Sequence, residues 1–517
     1  MDVHKIFANY FKGSEALAYA LSSKLGDGHI ALTIEDYKKE LSVLEDLESP
    51  YYVSPNEFTA QCNDGHYVSI NAEVLKPFVI HQGKAYLQRY YLYETQIIDN
   101  LTRLQNNLRI ITGGPGTGKT YSVATELIKL FTQNLGLKVV LAAPTGKAAV
   151  RVNESIKNFA ENAQNNIDSS IRDILVGLKA QTIHRLLGYQ KNSVFFRYNE
   201  KNRLPYDVVI IDECSMIDGA LMAKLLNAIS DTTQVFLLGD KDQLASVEAG
   251  SVFGDICRTK ESVILKKNIE FKNQSYRFDS EKGIGKFSKE VIDGTFNNIE
   301  MYANDEQLNI DTAYDDRLFE KYALEYTAYI KEEDIKTALQ KLNQVRFLCV
   351  TRENKHSVTE VNKLIERILK TSLNDTNDFY PKEGFYNNQP IIITRNNYDL
   401  GVFNGDVGLV RKVGDTLVAH FESADGEIKK IKAGYLNDFQ TVFAMTIHKS
   451  QGSEFEHVVV ILPEKPTGKL LTRELLYTAV TRAKTKVLLQ TSEETLKYCV
   501  ENEVLRSSGL EQRLKNI

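Results

Sequence analysis

The residues Gly113-Gly114-Pro115-Gly116-Thr117-Gly118-Lys119-Thr120 have the types and spacing to hold a chain of phosphates. The glycines let successive backbone N–H groups converge on phosphate oxygens with no Cβ in the way. Lys119 brings a point charge to the outer phosphates, and the Thr120 hydroxyl is a ligand for Mg²⁺. An apolar run at 108–111 leads in, and a helix-forming run at 122–131 leads out. That strand–turn–helix context implies a nucleoside triphosphate site rather than a bland glycine turn.

Asp212-Glu213 closes a second apolar run, 208–211. Alone, an acidic pair after a strand is commonly a solvated turn. Downstream of a phosphate loop, with a strand between, it reads as the other half of an NTPase site: Asp212 for Mg²⁺, Glu213 to orient or deprotonate the attacking water. Gln243, just after Gly239-Asp240, is placed to sense the γ-phosphate or the water, with a solvated Gln as the alternative. Hydrolysis also needs positive charge where the transition state gathers negative charge. Arg277, in Ser275-Tyr276-Arg277-Phe278, and Arg482, in Val480-Thr481-Arg482-Ala483, are candidates, although composition alone makes each a surface arginine.

The elements that must carry these residues alternate strand and helix from about 96 to 270, as a parallel α/β sheet does. Its strands are expected at 108–111, 139–143, 208–211 and 234–238, near-continuous apolar runs suited to burial on both faces. Each ends in polar residues, and ligands bind beyond the carboxyl ends of such strands. Residues 189–205 interrupt the pattern with aromatics around a polar tip and read as a β-hairpin insertion. A second α/β pattern runs over 271–517, with buried strands expected at 347–350, 391–393, 458–461 and 487–489. Inside it, at about 400–440, short strands separated by Gly414-Asp415 and Asp425-Gly426 have the texture of a small β insertion. Residues 1–95 read as a mostly helical packing or partner-docking domain with short strands over 68–87. The expected fold class is α/β, two P-loop NTPase lobes with these additions.

The 517 residues are 43% hydrophobic and 25% charged, an ordinary globular composition with ample core. A net charge of -5 excludes a globally basic nucleic-acid binder, so any nucleic-acid track must be a local lining. The five cysteines are scattered without metal-ligand spacing, which fits a reducing, cytoplasmic setting. No apolar run approaches the ~18 residues of a membrane span. Met1-Asp2-Val3-His4-Lys5 lacks the order of a secretion signal, so no leader and no membrane partner are expected.

Taken in order, these stretches resemble the motifs of superfamily-one helicases. Gln96 resembles the adenine-reading Gln upstream of the phosphate loop, residues 113–120 motif I and 143–149 motif Ia. Thr182-Ile183-His184 resembles motif Ib, 212–216 motif II, 239–244 motif III, Tyr276-Arg277 motif IV, 445–455 motif V and 475–484 motif VI. Ala143-Pro144-Thr145-Gly146-Lys147-Ala148-Ala149, Phe403-Asn404-Gly405-Asp406 and His448-Lys449-Ser450-Gln451-Gly452-Ser453-Glu454-Phe455 are similar to the RecD helicases, the 5′-to-3′ subunits of RecBCD recombination complexes. The resemblance is clear over about 85–490 and faint over 1–60.

That resemblance implies two RecA-like lobes, with the small insertion of the second an SH3-like barrel and the hairpin of the first a pin that splits the duplex. It implies ATP and Mg²⁺ as cofactors. Gln96, residues Gly113, Gly114, Pro115, Gly116, Thr117, Gly118, Lys119 and Thr120, Tyr276 on adenine and Glu454 on the ribose would bind the nucleotide. Arg277 and Arg482 would reach the γ-phosphate from the second lobe. Thr145, His184, Thr446 and His448 would line the single strand. The implied activity is an ATP-dependent DNA helicase or translocase of repair and recombination, acting at single-strand/duplex junctions, either alone or with RecB-like and RecC-like subunits. A non-motor regulatory ATPase subunit and an RNA helicase of the same superfamily are the alternatives, because no residue selects the sugar.

Overall fold

The computed structural model describes residues 2–42, 50–190, 193, 195–259, 262–303, 305–373, 384–397, 399–423, 426–466, 468–504 and 506–517. At the N-terminus, helices Val3–Ala8, Glu15–Gly26, Ile34–Ser42 and Pro55–Cys62 pack on a four-stranded sheet. Its strands lie in the order Ala31–Thr33, Lys84–Leu87, Phe78–His81, Val68–Ile70. Leu17 and Leu21 form the buried stripe of the second helix, which stops before Gly28 in the left-handed region (φ +90°). Helix Pro55–Cys62 starts with a reciprocal capping box between Ser54 and Glu57 and a proline in its first turn.

A six-stranded parallel sheet follows, in spatial order Ile269–Lys272, Leu108–Gly113, Gln234–Gly239, Val208–Ile211, Val139–Ala143, Ala180–Thr182. The four longest apolar runs form its interior, with helices burying both faces, which explains why they show no alternation. The two edge strands are polar and short and carry no such signal. One of them changes a boundary. Phe271 and Lys272 pair with Thr112 and Gly113, so the first lobe extends past 270, with this strand bonded to the one that enters the phosphate loop.

The second lobe is a five-stranded parallel sheet, in spatial order Leu308–Asp311, Ala483–Gln490, Phe455–Ile461, Val345–Cys349, Ala444–Thr446. Strand Pro390–Ile393, expected here, lies instead in a separate antiparallel sheet, in order Ile428–Lys432, Thr416–Glu422, Val407–Val413, Pro390–Ile393, Phe439–Thr441. The reason is burial on both faces: Ile391 and Ile393 fill the core of the small sheet, while Ile392 faces the core of the lobe.

Over 189–205, residues 191, 192 and 194 lie outside the described ones. In the rest, a tight turn closes through reciprocal backbone bonds between Asn199 and Asn202, and Phe196 and Tyr198 pack against the first-lobe core.

After helix Glu493–Glu501 the chain leaves the second lobe. The Ser507 carbonyl accepts from the N–H groups of Ile30 and Ala31 at 2.9 and 3.0 Å. The Gly509 N–H donates to Glu94 Oε1 at 2.9 Å, in helix Gln88–Leu104. Leu510 and Leu514, on the last helix, complete the first-lobe core. Burying each contributes roughly 1.5–3 kcal/mol. The expected second lobe, 271–517, therefore loses both ends to the first.

Candidate active site

The phosphate loop joins strand Leu108–Gly113 to helix Lys119–Gln133. Gly116 and Gly118 turn it with φ of +74° and +79°, a region that a side chain would make costly. Thr117 Oγ1 donates to the Gly114 carbonyl at 2.8 Å. The Lys119 ammonium folds back onto the carbonyls of Gly113 and Gly114, the latter at 3.0 Å. Thr120 stands in the first turn of the helix, where the N–H groups are free.

Asp212 and Glu213 follow the next but one strand of the sheet, and Asp240 follows the strand between. Burial pushes the Asp212 carboxyl up to about 6, and the charge of Glu213 adds to this. Burial does the same to Asp240, also to about 6, against the pull of Lys119. In both, burial outweighs the pull of Lys119. Glu213 holds a left-handed backbone, φ +54°, with its N–H on Asp212 Oδ1 at 2.7 Å. A non-glycine residue in that region stores strain, as functional sites commonly do. Gln243 donates to Asp240 Oδ2 at 3.0 Å, and its buried side-chain oxygen has no partner.

The second lobe and the crossing segment close the other side. The Tyr276 N–H donates to the Gly116 carbonyl at 2.9 Å, while its ring is 80% exposed. Arg277 Nη1 donates to Glu454 Oε1 at 2.6 Å, and Arg151 pairs with the same oxygen. Burial pushes the Glu454 carboxyl up, but Arg151 and Arg277 outweigh it and hold it below its ordinary value. Arg482 is buried, donating to the carbonyls of Thr478 and Ser453. Tyr477 donates to Asp240 Oδ2 at 2.9 Å across the lobes.

The loop from Pro115 to Thr120, but not Gly113 or Gly114, lines a cleft of about 1110 Å³ with the acidic pair and the arginines, ample for a nucleotide. Among its walls are Lys119, Thr120, Asp212, Glu213, Gln243, Tyr276, Arg277, Glu454 and Arg482. Free helix donors, lysine and arginines suit phosphate, and Thr120 with Asp212 offers the oxygen ligands Mg²⁺ prefers. The unpartnered Gln243 oxygen marks a place for a donor such as water. Gln96 is not among the cleft's walls; its side-chain oxygen accepts from Asn227 at 3.2 Å.

A family profile described as "AAA domain" matches residues 96–249, and one described as "UvrD-like helicase C-terminal domain" matches 441–490. The chain is 34% identical over 475 residues to the RecBCD enzyme subunit RecD of Mycolicibacterium smegmatis, spanning 83% of this chain and 82% of that protein. The chain belongs to the RecD family. It is also 30% identical to the ATP-dependent RecD2 DNA helicase of Deinococcus radiodurans, over 76% of this chain and 47% of that protein. A crystal structure of Bacteroides Pif1 bound to single-stranded DNA aligns over 78% of this chain and 93% of that one, at 17% identity and a TM-score of 0.42.

The strand-lining candidates of this RecD-family chain all lie at or just past carboxyl ends of parallel strands. Thr145 follows Val139–Ala143 and caps helix Gly146–Glu161, accepting the Ala148 N–H at 3.2 Å. His184 follows the neighbouring strand Ala180–Thr182, with its ring 5.7 Å from Phe196. Thr446 ends a second-lobe strand and accepts the Lys449 N–H at 3.3 Å, two residues before His448. Burial holds both imidazoles below their ordinary range. A Cβ on Gly452 would stand 3.5 Å from Thr145 Oγ1, so the turn around His448 meets Thr145 across the lobes. His184 stands apart from that contact, beside Phe196.

Sequence reasoning gave several groups no role, although Asp240 and Tyr477 lay in stretches it singled out. Arg151 and Asp240 line the cleft, Tyr477 bonds across it, and Arg185 lies over the Phe403 ring at 4.6 Å. Burial pushes Lys147 down to about 7, with Asp406 opposing. Arg151 had a signal: it stands one helical turn beyond Lys147 on the helix that Thr145 caps.

Proposed function

We propose that this RecD-family chain is an ATP-driven DNA motor that moves 5′-to-3′ along single-stranded DNA and opens duplexes during repair and recombination. The observation that carries the reading is the cleft between two parallel-sheet lobes. The phosphate loop and acidic pair belong to one lobe; Glu454 and Arg482 belong to the other and Arg277 to the segment between. Kinship to a protein named as an ATP-dependent DNA helicase supports DNA as the track.

In this reading Lys119, the loop N–H groups and Tyr276 bind the nucleotide. Thr120 and Asp212 hold Mg²⁺, which when bound neutralises charge building on the phosphate oxygens. Glu213 takes a proton from the attacking water while the Gln243 oxygen orients it. Arg277 and Arg482 bring positive charge from across the cleft, so hydrolysis requires closure, and reopening slides one lobe along the strand. Thr145, His184, Thr446 and His448 contact the strand through phosphate and sugar, which makes binding sequence-tolerant. The antiparallel sheet of the second lobe acts as an SH3-like barrel beside the strand, and the 189–205 segment as the splitting pin. Buried, unpaired cysteines suit work in the cytoplasm. The names of the RecBCD-type relatives favour a second reading, a subunit whose nucleotide state controls RecB-like and RecC-like partners through residues 1–95.

The test is ATP hydrolysis by the purified chain with and without single-stranded DNA, beside Lys119→Ala. We expect at least tenfold stimulation by DNA, abolished in the variant, and displacement of strands from 5′-tailed but not 3′-tailed duplexes. A parent chain that DNA does not stimulate overturns the motor reading; stimulation by RNA alone makes it an RNA helicase.

A further inference from the structure

Arg151 is a first-lobe residue whose guanidinium spans the cleft. One nitrogen, Nη1, lies 3.6 Å from Glu213 Oε1 in the same lobe. The other, Nη2, pairs with Glu454 Oε1 at the entrance to strand Phe455–Ile461 of the second lobe. Glu454 is shared, because Arg277 Nη1 sits on the same oxygen at 2.6 Å. Among the described residues, the ion pair of the Glu213 carboxylate is with Arg151. The backbone of Glu213 is fixed by its left-handed φ and its bond to Asp212. What freedom remains to this residue is in its side chain, which faces Arg151 within its own lobe and the charge of Arg482 from the second.

We propose that Arg151 is a positioning residue that makes the place of the Glu213 carboxylate depend on the place of the second lobe, through Glu454. Glu454 and Glu213 sit on different lobes, so opening or closing the cleft changes the distance between them. A planar arginine fork can serve two carboxylates only when both stand at its two ends. With the lobes apart, the fork is left to Glu213 alone and draws its carboxylate toward the helix Gly146–Glu161. With the lobes together, Glu454 takes one end of the fork and fixes where the other end holds Glu213. Lobe position, which a bound strand controls, is thereby transmitted to the residue that handles the attacking water. This rests on reading the cleft as a DNA-stimulated ATPase.

Two readouts test it, using the full chain. The first is structural and needs no turnover: small-angle scattering of the nucleotide-free chain. Arg151→Ala and Glu454→Gln should each enlarge its radius of gyration, and the double variant should enlarge it no further. The second is the ratio of ATPase rates with and without single-stranded DNA. We expect at least a threefold fall in that ratio in each single variant and no further fall in the double, with the affinity of Arg151→Ala for a fluorescent ADP analogue changed less than threefold. If the alanine variant does not fold, Arg151→Lys keeps the charge but not the fork, and the ratio must still fall threefold. An unchanged ratio, an unchanged radius of gyration, or losses that multiply in the double variant overturn the proposal. A parent chain that DNA does not stimulate overturns the underlying ATPase reading instead, so the two failures are distinguishable.

Discussion

Arg482 is 1% exposed, and its guanidinium bonds only to backbone carbonyls among the partners described above. Burial lowers its pKa, with Glu213 opposing, yet an arginine stays charged. A charge kept dry beside a phosphate site is worth far more than one in water. Arg482→Ala should therefore cut DNA-stimulated turnover at least ~100-fold, as for other arginines reaching transferred phosphates. Binding of a fluorescent ADP analogue should stay within threefold; equal loss of both would place Arg482 in nucleotide binding alone. Lys119, Asp212 and Glu213 were legible as members of one cleft because each sits in a short run whose spacing reflects one local turn, whereas Arg482 followed only from the resemblance. Arg151 was not, and Tyr477 and Asp240 lay inside recognised stretches without a role, because the meaning of all three lies in contacts between segments far apart in the chain.

Elements were legible where burial was symmetrical. The interior strands of both lobes announced themselves as apolar runs, and the short edge strands Ala180–Thr182 and Leu308–Asp311 did not. The same rule misassigned Pro390–Ile393, since a strand pressed between two different cores looks like one inside a parallel sheet. Helix Gln88–Leu104 makes a testable case of its own. Burial pushes Glu94 up to about 7, while the Gly509 N–H and Arg513 oppose it. The folded chain thus holds this proton more tightly than the unfolded chain, whose value is near 4.5. Between pH 4.5 and 7 the folded state binds more protons, so this residue's contribution falls as pH rises, by up to ~1.4 kcal/mol per pH unit. Glu94→Gln keeps an acceptor for Gly509 without the titration. Urea midpoints over pH 5 to 8 should decline less steeply with rising pH in the variant than in the parent; parallel curves would show that Glu94 does not titrate there.

At the scale of the whole molecule, two sheets meet along bonds that cross the cleft, among them Tyr477 to Asp240 and Gln451 to the Leu244 carbonyl at 2.8 Å. A machine arranged so should have parts that serve hydrolysis and parts that serve only unwinding. The turn at 199–202 stands away from the cleft walls. Deleting it should reduce strand displacement at least tenfold while single-strand-stimulated hydrolysis stays within twofold; equal loss of both would remove the pin reading. The two-lobed plan was legible, but not its closure by the chain's last helix, because Leu510 and Leu514 show a helical stripe without naming the core they enter. That closure bears on synthesis. Ile97 and Leu101 share a core with Leu510 and Leu514 but are made about four hundred residues earlier, roughly 20–80 s at ordinary synthesis rates. Until that helix is made, the part of the first-lobe core that Leu510 and Leu514 cover faces water, the kind of exposed apolar surface that makes a nascent chain prone to aggregate.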